Sequence, residues 1–306
     1  MKNRRLKKAR TINMGENAAF FIIMLPFVIL FFLFNILPVL SSMVLSFFYY
    51  DMVSRPIFAG LENYSRMFAE DDLFLKIVGN TLKFSIVAGP LSYIIAFLLA
   101  WMINEFSPQI RVVLTFIFYA PALVGNAYFI WQVLFSSDSY GYMNNILISL
   151  GLLNEPVNWF QNTEYNMTLV LIVQLWMSMG VSFLANIAGL QNVNTELYEA
   201  GAIDGIKTRW HELWYITLPS MKSILLFGAV MQIQAVFSVS DIITTLAGYP
   251  SVNNSVDTLV SYIKDVGTTL YEMGYASALS VFLFVLVLIF RFGIGALLNL
   301  IGKSDS

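Results

Sequence analysis

Six stretches of the chain are continuously apolar, over residues 18–40, 84–103, 112–134, 167–190, 221–246 and 275–292. A bilayer core takes about 20 apolar residues per helix, and backbone groups in lipid must be satisfied inside their own segment, so each stretch reads as one membrane-spanning helix. Barrel strands would alternate apolar and polar positions over about ten residues, and none of these runs does. The pattern predicts an all-α membrane protein with six transmembrane helices. It fills residues 18–300 between a basic N-terminal segment (1–17) and a short C-terminal tail (301–306).

Composition supports this and removes several functions. The chain is 58% hydrophobic and only 12% charged, against about a quarter charged in soluble domains. It has no cysteine and a single histidine, His211, which excludes thiol catalysis, disulfides and thiolate metal sites. No catalytic residue, no metal site and no nucleic-acid surface is expected. Placing the N-terminus inside puts 12 of the 17 lysines and arginines on inner segments and four on outer ones, with Lys83 at the outer edge of the second span. By the positive-inside rule both termini are cytoplasmic. The segment 138–165 has neither lysine nor arginine, as an outer loop should. The uncharged run 17–50 is far longer than the core of a secretory signal, about 7 to 15 residues, and reads as an uncleaved first span.

Loops then carry what distinguishes the protein, above all residues 192–221 on the inner side, NVNTELYEAGAIDGIKTRWHELWYITLPSM. This stretch is too polar to span and rich in helix signals. Thr195 is placed to cap a first short helix, with Glu196 and Glu199 in the first turn where the dipole favours acids. Gly205 offers the left-handed position that ends it, Thr208 caps a second, and Pro219 marks the break before the fifth span. Helical spacing puts Leu197, Ala200, Gly201 and Asp204 on one face and Trp210, Leu213, Trp214 and Thr217 on another. Such a patch fits a soluble partner docking from the cytoplasm, or else packing against the bundle's own underside.

The loop resembles the EAA loop of the permease subunits of binding-protein-dependent ABC importers, written E-A-A, three residues, G, nine residues, I-x-L-P. Glu199, Ala200, Gly201 in place of the second alanine, Gly205, Ile216, Leu218 and Pro219 carry it, with ten residues rather than nine between Gly205 and Ile216. Asp204-Gly205 matches the pair common in sugar permeases. Phe58-Ala-Gly-Leu-Glu-Asn-Tyr64, Asn80-Thr81, the stretch 141–151, Asp241, Gly248-Tyr-Pro250 and Gly274-Tyr-Ala276 follow in the order of MalF-type sugar permeases. The resemblance implies a bacterial cytoplasmic-membrane subunit that carries carbohydrate and hydrolyses nothing itself. Its partners would be a second permease subunit, two ATP-binding subunits that use ATP and Mg, and an extracytoplasmic solute-binding protein. The loop would seat in a groove of the ATPase through Glu199, Ala200, Gly201, Asp204, Gly205, Trp210 and Leu213, Gly201 and Gly205 allowing close approach. The chain's own Gly302-Lys303-Ser304 is no phosphate loop, because Leu297 stands where one needs glycine.

For the pathway, Gln234, Ser238 and Asp241 at i, i+4 and i+7 form one polar stripe on the fifth span, with Gln232 beside it, and Gln174 with Ser178 a smaller stripe on the fourth. Such groups either line a pore or hydrogen-bond helices together. An ion-coupled transporter acting alone is disfavoured by the lack of a central acid in any span. A membrane enzyme is disfavoured by the lack of an acid, histidine or metal-ligand cluster.

Overall fold

A computed structural model describes residues 14–301. The lysines and arginines at positions 2–10 and the tail beyond residue 301 lie outside the described residues. Three helices among these residues are long and apolar enough to cross a membrane unbroken: Phe20–Leu45, Phe74–Asn104 and Met273–Gly293. Two pairs of helices pass the same test only when taken together and are bent at a break, Asn166–Met177 with Val181–Gln191 by 42° and Arg209–Ser220 with Lys222–Phe237 by 82°. Pro108–Val124 is the sixth apolar element, and at 17 residues it is short for a full span.

In chain order the helices are α1 (Met14–Phe31), α2 (Leu37–Leu45), α3 (Glu62–Ala69), α4 (Phe74–Asn104), α5 (Pro108–Val124), α6 (Phe129–Leu134), α7 (Tyr142–Ser149), α8 (Asn166–Met177) and α9 (Val181–Gln191). They continue as α10 (Thr195–Ile203), α11 (Arg209–Glu212), α12 (Leu218–Ser220), α13 (Lys222–Phe237), α14 (Asp241–Ala247), α15 (Leu259–Thr268) and α16 (Met273–Ile301). A π turn, Phe32–Ile36, joins α1 to α2 just before Pro38, whose missing N–H removes a helix bond there. The all-α expectation needs one amendment. Two short strands, β1 (Phe48–Tyr49) and β2 (Ile57–Phe58), pair antiparallel after the first span.

The windows 112–134, 167–190 and 221–246 do not run as single helices. Gly125 stops α5 with φ of +72°, a conformation only glycine adopts without strain. At the other two breaks a serine hydroxyl turns back on its helix: Ser178 Oγ donates to the Leu175 carbonyl at 2.6 Å and Ser238 Oγ to the Gln234 carbonyl at 2.7 Å. Such local bonds offer the backbone an alternative to the helical ladder. The chain leaves helical geometry fully at Gly180 and Ser240.

α4 is the spine of the molecule. Its first turns join α3, α15 and α16 in a core of Met67, Phe74, Ile77, Leu259 and Leu279. Its middle meets α8 and the α13–α14 region through Phe84, Ala88, Val170, Val173 and Ile243. Its last turns meet α9 and the 192–221 loop through Ala96, Phe97, Ala100, Phe183, Leu213 and Met221. Polar groups fix the end opposite that loop. Asp71 Oδ1 accepts the N–H groups of Leu73 and Phe74 at 3.0 and 3.2 Å, while its Oδ2 accepts the hydroxyls of Tyr262, at 2.7 Å, and Tyr275. Asn80 donates to the Asn254 carbonyl at 2.8 Å, and Thr81 Oγ1 accepts the Leu259 N–H at 2.9 Å.

Candidate functional site

The 192–221 loop folds as two short helices, with one change of detail. The first cap is Asn194 rather than Thr195: its side chain accepts the Glu196 N–H at 3.1 Å and α10 begins at Thr195. Asparagine caps at least as well as threonine, so the stronger of two adjacent cap residues takes the position. Gly205 ends α10 with φ of +94°. The Ile206 N–H reaches the Gly201 carbonyl at 2.9 Å and the Gly205 N–H the Ala202 carbonyl at 3.3 Å, a Schellman closure. Thr208 caps α11, accepting the His211 N–H at 3.3 Å. The helical run then continues through a π turn, Leu213–Thr217, and across Pro219, and the break falls at Met221 instead.

Burial divides the residues expected to dock. Glu199, Ala200, Asp204 and Gly205 are exposed, and so is Trp210 at 58%. Gly201 and Leu213 face inward. Leu213 is 3% exposed in the core shared with α4 and α9. A Cβ on Gly201 would sit 2.7 Å from Ile216 Cδ1 and 3.2 Å from Ile206 Cδ1, so the close approach this glycine permits is to the loop's own second half. The hydroxyls of Tyr198 and Thr217, 2.9 Å apart, tie the same halves together. Beyond the expected set, Leu197, Ile203, Trp214 and Tyr215 stand exposed at 45, 87, 64 and 71%. Tyr215 fell outside the helical faces read from the sequence because it lies within the π turn Leu213–Thr217, which departs from regular spacing, while Ile203 stands at the last position of α10. The loop is thus anchored by an apolar seam and also presents large apolar side chains to solvent.

The second candidate is a cleft of about 330 Å³ where three broken helices meet. Gly125, Asn126 and Tyr128 line it from the end of α5, Met177 from the end of α8, and Ser238, Val239, Ser240 and Asp241 from the α13–α14 break. Broken helices expose backbone polar groups, which at membrane depth are tolerated only against protein or a cavity. Of the expected pathway residues, Ser238 and Asp241 reach this cleft, and Asp241 pairs with Lys264 at 3.3 Å. Gln234 is exposed outside it. Gln232 is 4% exposed and donates to Ser92 Oγ at 2.7 Å, tying α13 to α4. Gln174 is 5% exposed in the packed interior. The single stripe along the fifth span does not exist as such, since the break at residues 238–240 sets Asp241 on a different helix from Gln234. Asn126 was not anticipated. The signal was Gly125 ahead of it, an αL-capable residue inside an apolar window.

A helical membrane body with kinked spans around a polar cleft, and a compact loop projecting from one end, has the construction of a transport subunit. The chain belongs to the family of binding-protein-dependent transport system inner membrane components, matched over residues 88–300. It is 29% identical over 288 residues to the probable ABC transporter permease protein YesP of Bacillus subtilis (strain 168), covering 92% of this chain and 90% of that one. It is 30% identical over 282 residues to the arabinooligosaccharides transport system permease protein AraP of the same organism, covering 92% and 88%. A bacterial alginate ABC transporter, solved in complex with an alginate pentasaccharide-bound periplasmic protein, contains a chain of the same fold. It aligns over 95% of this chain and 98% of that chain with a TM-score of 0.79 at 22% identity. The resemblance carried by the loop therefore holds at the level of family and fold. The chain is a membrane transport component, not an enzyme.

Proposed function

We propose that this chain is one of two permease subunits of an ATP-driven carbohydrate importer in a bacterial cytoplasmic membrane. Both termini face the cytoplasm, a solute-binding protein delivers substrate to the opposite side, and a pair of ATPase subunits that use ATP and Mg grips the loop formed by α10 and α11. The observation that carries this reading is the division of that loop into a buried seam and an exposed face bearing Glu199, Ile203, Trp210, Trp214 and Tyr215. Large apolar groups left in water beside charged ones mark a protein-docking surface.

Closure of the ATPase would push the exposed face, and the seam through Leu213, Ile216 and Met221 would pass the displacement into α4, α9 and α13. Broken spans suit the switch between outward and inward access, because residues 125, 178–180 and 238–240 already depart from helical geometry and flex at low cost. Asn126, Tyr128, Ser238 and Ser240 give the cleft uncharged hydroxyl and amide groups, and the one carboxylate, Asp241, already has Lys264 as a partner. That chemistry suits sugar hydroxyls. The relative named for arabino-oligosaccharides points the same way.

The test is a deletion of residues 199–205 in the assembled transporter, with uptake of radiolabelled arabino-oligosaccharides and ATP hydrolysis measured together. Loss of uptake with hydrolysis released from substrate control supports the reading. Undiminished uptake, or uptake driven by an ion gradient without ATP, overturns it.

A further inference from the structure

The loop is joined to the bundle in two unlike ways. One is the buried seam of Leu213, Ile216 and Met221. The other is a thin bridge to the turn between α4 and α5. Arg209 Nη2 meets Glu105 Oε2 at 2.8 Å, and the Trp210 ring lies 5.2 Å from that of Trp101 at an angle of 49°. Behind this bridge is a cavity of about 450 Å³ lined by polar groups including Asn104, Arg111, Gln191 and Tyr198. The bridge is not close-packed core. The ion-pair side chains are 63% and 40% exposed, and pairs of that exposure add little to stability. Contacts of this kind set position instead. Arg209 also holds Glu212 at 2.7 Å, so it keeps a carboxylate partner if Glu105 departs, and release strands no guanidinium. The bridge ends on the last turns of α4, whose first turns hold residues 254 and 259 at the opposite end of the molecule through Asn80 and Thr81.

We propose that Glu105–Arg209 and Trp101–Trp210 form a releasable latch, closed in the state described and opened when the loop rocks about its buried seam over the polar cavity. Glu105, Arg209, Trp101 and Trp210 are then positioning residues that time the movement of α4 to the movement of the loop. This rests on the loop being gripped by an ATPase.

The chain has no cysteine of its own, so Glu105→Cys with Arg209→Cys gives a unique pair on it. In membrane vesicles holding the complete transporter, the rate of joining this pair with a short, cleavable bismaleimide is compared without nucleotide and with ATP plus vanadate. The latch predicts rates that differ at least fivefold between the two conditions. It also predicts at least a tenfold loss of ATP turnover once the pair is joined, restored on cleaving the linker. Equal rates in both conditions with full turnover in the joined complex would overturn it. A second arm avoids cross-linking: in a Glu212→Gln background, which removes the carboxylate that Arg209 also holds, Arg209→Glu alone is expected to uncouple hydrolysis from substrate, and adding Glu105→Arg to restore coupling. A single variant that couples like the parent, or a swap that rescues nothing, counts against the latch. The deletion of residues 199–205 separates the two readings. If it uncouples transport while the cysteine pair behaves alike in both conditions, the latch alone has failed; if it leaves ATP-driven uptake intact, the docking assignment has failed.

Discussion

Replacing Gly201 probes the seam on which force transmission depends. This glycine sits inside α10, where alanine would gain about 1 kcal/mol from helix propensity alone. Against that, a Cβ there lies 2.7 Å from Ile216 Cδ1, roughly 1 Å inside the favourable carbon–carbon separation. The encroaching atom is the free end of an isoleucine, which can swing aside by roughly 1 Å through its terminal torsion, so the two effects nearly cancel. Gly201→Ala is expected to stay within about 1 kcal/mol of the parent, in keeping with the alanine that the EAA pattern carries at this place. Gly201→Leu adds three more carbons where Ile216 is already 8% exposed and Ile206 stands next in line, and overpacking of that kind costs about 1 to 3 kcal/mol. At about 1.4 kcal/mol per factor of ten, that cost shifts the balance between a seated and a displaced seam by roughly 5- to 150-fold. Uptake normalised to the amount of protein in the membrane measures this. Alanine should transport within twofold of the parent and leucine at least tenfold more slowly. Wild-type transport with leucine, or equal damage from alanine and leucine, would refute the packing argument.

Three further outcomes follow from named contacts. Asn144 is fully buried, donates to the Ser136, Asp138 and Val157 carbonyls, and accepts from the Val157 N–H at 3.1 Å and Trp159 Nε1 at 2.8 Å. Asn144→Ala orphans two donors at about 1 to 3 kcal/mol each, and limited proteolysis should then cut within residues 136–165 where the parent resists. Ser92→Ala and Gln232→Leu, combined in a double-mutant cycle on thermal stability, should show a coupling of about 1 kcal/mol or less, and a larger coupling would mean a role beyond joining α4 to α13. Asp257 is fully buried, and desolvation raises its carboxyl above the ordinary range despite the Ser251 N–H it accepts. A carboxyl raised on folding holds its proton more firmly in the folded state, so its contribution is complete below the unfolded value and is lost as pH rises through the folded one. Asp257→Asn should therefore flatten the loss of stability from about pH 4 upward, and a difference between variant and parent that does not change with pH would contradict this.

Each apolar window falls on an apolar helix or bent helix pair, three of them unbroken candidate spans among the described residues, because about 20 lipid-facing residues leave a composition signal that needs no tertiary information. Their continuity was not legible. Gly125, Ser178 and Ser238 are tolerable inside a helix by type, and they become breaks only where neighbouring segments satisfy the freed backbone groups. The loop was readable because caps and terminators are local: Gly205 and Thr208 act as their types suggest, and the exchange of Thr195 for Asn194 moved the start by one residue. Leu213 and Gly201 could not be sorted from Trp210 by spacing, since the π turn and the 82° bend decide which side meets the bundle. Gln232 and Gln234 are two residues apart with opposite fates, one bonded to Ser92 and one exposed, and only the position of α4 distinguishes them.

Ile203, 87% exposed at the end of α10, is the most direct reporter on whether an engine grips this loop. With Ile203→Cys as the chain's sole cysteine, a membrane-impermeant maleimide is applied to inside-out and right-side-out vesicles, with the ATPase subunits present or stripped away. The account predicts labelling only in inside-out vesicles, rapid when the ATPase is absent and strongly slowed when it is bound. Labelling from the outer side, or a rate indifferent to the ATPase, would contradict it.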